Sequence, residues 1–142
     1  MPRFVLLYHD CPPNYVRPSH WDFMLESGDV LRTWALEQLP RDWQAARTRT
    51  AGIYPNCPSL SPDNTVAAMQ LNDHRLDYLE LEGPLSGDRG AVTQVAAGIY
   101  RSELENPGDW RVVLTSDRLA ARVQLSRLEA DHKRWLILTT ND

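Results

Sequence analysis

The chain is cut into short apolar runs by closely spaced turn signals, and few runs are long enough for a helix. Residues 3–9, 20–26, 30–36 and 65–71 read as strands. So do residues 78–81, 91–100, 110–115, 119–128 and 134–139. Between them stand Ser27-Gly28-Asp29, Gly83-Pro84, Gly87-Asp88, Asn106-Pro107-Gly108 and Ser116-Asp117, each rich in residues that favour reversal of the backbone. The Gly28-Asp29 pair between two strand-like runs predicts a hairpin. Many short strands with regular punctuation predict an all-β, antiparallel barrel flanked by one or two short helices. The clearest helical stretch is residues 41–47, opened by Pro40; residues 48–64, with Pro55, Pro58 and Pro62, read as a long loop.

The 142 residues suit one domain spanning residues 1–142. No apolar run approaches the roughly 20 residues of a membrane span, and the N-terminus lacks a secretory pattern, so a cytoplasmic location is expected. Cys11 and Cys57 lack the spacing of a disulfide framework and read as free thiols. A net charge of −4 argues against a protein that grips long nucleic acid, since phosphate contacts need a basic surface. A nucleic-acid substrate would be held at an end.

Residues 20–26, His-Trp-Asp-Phe-Met-Leu-Glu, carry the chemistry. On a strand His20, Asp22, Met24 and Glu26 share one face, and Trp21, Phe23 and Leu25 share the other, the natural core face. An imidazole and a carboxylate two residues apart can converge on one cation, and such ligands suit manganese or zinc. His9 ends the first strand-like run and His74 follows a later one. His132 lies in a charged turn and reads as solvated. Trp21, Phe23, Trp34, Trp110 and Trp135 read as core.

These residues, in this order, resemble the 3′-phosphoesterase domain of bacterial DNA ligase D and its stand-alone relatives. That family opens on a strand ending in His, then His-Tyr-Asp-Phe-Arg-Leu-Glu, a Gly-containing hairpin, and Ser-Trp-Ala-Val. Here the matching stretch is His9, residues 20–26, and Thr33-Trp34-Ala35-Leu36. The family's Glu-Asp-His-Pro-Leu-x-Tyr and Phe-Glu-Gly match residues 72–78 and Leu81-Glu82-Gly83, and Trp135-Leu136-Ile137-Leu138 matches its closing strand. The resemblance implies a β-barrel that repairs unligatable 3′ ends, removing a terminal ribonucleoside and a 3′-phosphate, with manganese favoured. It implies a metal held by His9, His20 and Asp22, with His74 contacting the phosphate or acting as general acid and Tyr78 supporting it. It also implies a nucleic-acid 3′ end as substrate, DNA ligase or other repair proteins as partners, and no membrane.

The departures fall at the site. Met24 replaces the family's Arg, Leu7 its Gln, Gln38 its Lys, and Asn72 its Glu. Three of these replace polar or cationic phosphate contacts, while the metal ligands remain. Arg17, in an extended loop of residues 10–19, could restore charge, and Gln38 could contact the phosphate from the lysine position. Three functions fit this pattern: a metal-dependent phosphoesterase, an impaired metal-binding or end-binding module of the same fold, and a hydrolase of a small phosphate ester.

Overall fold

The structure, a computed structural model, describes residues 1–140. Its strands are β1 (Arg3–Asp10), β2 (His20–Ser27), β3 (Val30–Leu36), β4 (Thr65–Gln70), β5 (His74–Arg75), β6 (Gly83–Pro84), β7 (Ala91–Asn106), β8 (Asp109–Thr115), β9 (Ala121–Arg127) and β10 (Arg134–Thr140). Eight of them hydrogen-bond in the order β1-β2-β3-β4-β10-β9-β8-β7, and β7 returns to β1. This closes an antiparallel barrel, as the punctuated sequence predicts, and leaves the main sheet without a free edge. The two short strands lie outside this ring, β5 on β3 and β6 on β7.

Local chemistry explains the corners. Gly28 holds φ at 63° in the two-residue turn joining Ser27 to Val30, a conformation that favours glycine. The β1–β7 register shifts between Leu6 and Leu7, so Val95 is an extra residue on β7, which adds twist. Helix α1 (Gln44–Ala51), entered through a 3-10 turn at Arg41–Trp43, runs four residues beyond the expected end. Its continuation is explained by burial: Trp43, Ala46 and Thr50 are all buried, and Trp43 packs 5.5 Å from Phe23.

The barrel interior is filled by aromatic side chains. Trp21, Phe23, Trp34, Trp110 and Trp135 are all within 2% of full burial, as expected, and Trp43 joins them. Trp34 meets Trp135 edge-on at 5.5 Å and Trp110 at 6.1 Å. A second apolar cluster lies on the outer face of β1, β2 and β3: Val5, Leu7, Met24 and Leu31, covered by Tyr78, Leu79 and Val92. The first two strands are therefore buried on both faces.

That outer cover corrects one expectation. Residues 78–81 are not a strand; residues Leu76–Leu79 form a 3-10 turn. Tyr78 and Leu79 are both buried. A strand would send these neighbours to opposite faces, whereas the turn lets both pack in the outer cluster. No helix among the described residues is long and apolar enough to cross a membrane.

Candidate metal centre and phosphate cleft

The antiparallel register of β1 and β2 sets His9 directly opposite His20 and Leu7 opposite Asp22. Strand alternation turns His9, His20 and Asp22 to the outer face, away from the aromatic interior. All three are buried, at 7%, 1% and 3% exposure. The two imidazole rings lie 5.0 Å apart at 62°.

Backbone carbonyls fix both rings. His9 Nε2 donates to the Arg89 carbonyl at 2.6 Å, and His20 Nδ1 donates to the Pro18 carbonyl at 2.8 Å. In the neutral tautomers this sets, the remaining nitrogens present lone pairs toward Asp22. His20 Nε2 is 3.0 Å from Asp22 Oδ1, and His9 Nδ1 is 3.8 Å from Asp22 Oδ2. Close as they are, His20 Nε2 and Asp22 Oδ1 do not meet in hydrogen-bond geometry, and both are buried without a hydrogen-bond partner. Two electron-rich atoms held this close in a buried place call for a positive charge between or beside them.

The protonation tendencies agree with that demand. Burial opposes charging of His20, but the adjacent Asp22 carboxylate, with the Pro18 carbonyl, outweighs it and raises its pKa. His9 goes the other way, since burial lowers its pKa more than Arg89 and Asp22 raise it. Cys11 also stands near: one donor atom from each of His9, Cys11 and His20 lies within 4.8 Å of the others. Its Sγ, however, approaches His20 Nδ1, at 3.9 Å, the nitrogen already engaged by Pro18. Burial, with Asp22 and Asp10 nearby, pushes its thiol up to about 11. Asp22 is not one of that trio, but its carboxylate reaches the ring nitrogens that the carbonyls leave free, 3.0 Å from His20 Nε2 and 3.8 Å from His9 Nδ1.

A cleft of about 260 Å³ opens over this centre and brings His9, His20, Asp22, Arg17 and His74 together. His74 Nδ1 donates to the Asn72 carbonyl at 2.9 Å, so Nε2 is its free ring nitrogen. Tyr78 is packed against His74, ring edge to face at 4.9 Å and 87°, but does not line the cleft. Gln38 is also outside it: it reaches Ser59 at 3.4 Å and lines an adjoining groove of about 720 Å³. The groove and the cleft share Arg17, His20 and Met69. His132 is exposed.

Sequence reasoning missed three contributors. Tyr15, from the loop of residues 10–19, sets its ring against His9 at 5.6 Å. The Arg89 carbonyl orients His9, and a backbone atom leaves no mark in side-chain pattern. Lys133 lines the cleft from the turn before β10; that it is the only lysine in the chain was the available signal.

Barrel and cleft together define a small antiparallel β-barrel protein with a histidine–carboxylate centre on its outer wall. The chain is related to a stretch of the DNA repair protein LigD. It is 31% identical over 133 residues to the multifunctional non-homologous end joining DNA repair protein LigD of Mycobacterium tuberculosis H37Rv. It is 28% identical over 136 residues to the multifunctional non-homologous end joining protein LigD of Pseudomonas aeruginosa. Each match covers 87% of this chain and 14% of the relative, so the chain spans about a seventh of the length of these proteins. No family model matches.

Proposed function

We propose that this chain is a metal-dependent phosphoesterase that processes 3′ ends of nucleic acid in repair, taking a 3′-phosphate or a terminal ribonucleoside. The observation that carries this reading is the pair of buried, unpartnered atoms His20 Nε2 and Asp22 Oδ1, 3.0 Å apart, at the floor of a solvent-open cleft. Relatedness to proteins named for non-homologous end joining DNA repair supports the substrate class.

His9, His20 and Asp22 would hold the cation, manganese for preference and zinc as the other metal such ligands suit. When bound it would supply charge stabilisation at phosphoryl oxygens. The chain's own residues do the rest. The Arg89 and Pro18 carbonyls hold the two imidazoles in the ligating tautomer. His74 Nε2 meets the phosphate and, when protonated, delivers its proton to the leaving alkoxide. Tyr78 fixes the plane of that ring.

The test is incubation with manganese and oligonucleotides ending in a 3′-phosphate or a single ribonucleotide. Wild type should release phosphate or nucleoside; His20→Ala should lose metal and turnover together. No turnover by wild type with manganese bound would overturn the reading. Leu7 and Met24, which are apolar and fully buried beside the centre, favour a second one. In it the protein binds a metal and a nucleic-acid end without hydrolysis, and end binding would then persist in the absence of products.

A further inference from the structure

We infer that Lys133, with Arg17, forms the binding site for the substrate's terminal phosphate, which makes a dianionic phosphomonoester the preferred ligand. This rests on the phosphoesterase reading but does not require turnover. The chain contains fourteen arginines and one lysine, and that one lysine lines the cleft over the histidine–carboxylate centre. Its backbone is anchored. The Lys133 carbonyl accepts the Gln70 N–H at 2.7 Å, and its own N–H donates to Asp131 Oδ1 at 2.9 Å.

Apart from imidazoles, the strands offer no basic side chain to the cleft. β1 and β2 contribute His9, His20 and Asp22, and the next side chains along the same faces are Leu7 and Met24, within the outer apolar cluster. β4 contributes Met69 and Gln70. Positive charge must come from the surrounding loops, and Arg17 and Lys133 are the two basic residues that provide it.

Neither is held by a carboxylate. Among the described residues, Arg3, Arg75, Arg101, Arg111, Arg122 and Arg134 stand within 4 Å of an acidic group, while Arg17 and Lys133 do not. Arg17 lines the cleft together with His9, His20 and Asp22. Two unpaired cations on flexible stems, beside the residues that would hold a metal, match a doubly charged terminal phosphate better than a singly charged diester. Lysine suits this as a point charge that needs no fixed bidentate geometry.

The experiment uses pyridoxal 5′-phosphate, an aldehyde carrying a phosphate. The Lys133 amine adds to the aldehyde and loses water to give an imine, and borohydride delivers hydride to fix it as a secondary amine. The chain's only other amine is its N-terminus, so mass spectrometry assigns the product without ambiguity. In the manganese-loaded protein Lys133 should be labelled about tenfold faster by pyridoxal 5′-phosphate than by pyridoxal. Inorganic phosphate or a 3′-phosphorylated oligonucleotide should protect it, and Arg17→Ala should erase the phosphate preference. In turnover, Lys133→Ala should raise KM for the 3′-phosphate about tenfold, with Lys133→Arg restoring most of it.

Equal labelling by both aldehydes, or labelling unaffected by phosphate, overturns the inference. Protection in a protein that never hydrolyses its ligand sustains the phosphate site and removes the phosphoesterase reading. Hydrolysis with an unchanged KM in Lys133→Ala removes the phosphate site and leaves the enzyme.

Discussion

Asp22 is the residue on which the centre turns. It is buried between two imidazoles whose outer nitrogens are already committed to carbonyls. In the metal-free protein its carboxylate raises the His20 pKa against the pull of burial. The protonated form of His20 therefore adds stability that is full below the ordinary imidazole value near 6.5 and is lost as pH rises through the folded value. A metal must displace that proton, so metal affinity should fall as pH drops through the same value. Asp22→Asn should lower the His20 pKa in a nuclear magnetic resonance titration and weaken manganese binding by at least about 100-fold by calorimetry, since a ligand should matter more than the outer partners worth 10–100-fold. An unchanged His20 titration would mean that the carboxylate does not set its charge. At this scale the sequence was informative. His9, His20, Asp22, His74 and Arg17 were all picked from spacing and resemblance, and the cleft gathers all five. Gln38 was placed by order of residues alone, and the chain after β3 carries it into the adjoining groove. Lys133 went unread because its turn looks like any charged surface turn in one dimension.

The element that does most for the site is the connection between β6 and β7, which supplies no side chain to the cleft. Gly90 adopts φ of 85°, and a Cβ there would collide with the Asp10 carbonyl at the end of β1. That close approach brings the neighbouring Arg89 carbonyl to within 2.6 Å of His9 Nε2. Gly90→Ala should push this turn away and release His9. Manganese affinity should fall about 10–100-fold, as for loss of an outer-shell partner, and stability by about 1–3 kcal/mol from backbone strain. Calorimetric titration and chemical denaturation read the two effects separately. Wild-type affinity in Gly90→Ala would show that the carbonyl is dispensable. The elements themselves were largely legible, because alternation and turn residues act locally. The stretch 78–81 was not, since its apolar residues answer to the outer face of β1 and β2, far away in sequence.

At the scale of the whole molecule, closure of the sheet confines the aromatic core to the interior and leaves recognition to the outer wall. The surface carries a net charge of −4, and two loop cations serve the cleft. Binding to a single-stranded 3′-phosphorylated oligonucleotide should thus depend weakly on salt. With about two phosphate charges neutralised, the slope of log affinity against log salt should be about −1.4. Fluorescence anisotropy over a salt series measures it, and a slope several times steeper would mean that the strand meets basic residues well beyond the cleft. Closure into a barrel was legible from the punctuated sequence; the side of the barrel that carries the cleft was not, because that depends on how the strands close.

Strand β2 also carries two messages interleaved in one line of text. Even-numbered residues His20, Asp22 and Met24 address the outer wall, and odd-numbered Trp21, Phe23 and Leu25 address the interior. A substitution edits one message and spares the other, so chemistry here can drift while the barrel persists. Insertion or deletion of a single residue is different in kind. It exchanges the two, sending imidazole and carboxylate inward and tryptophan outward, and garbles both at once.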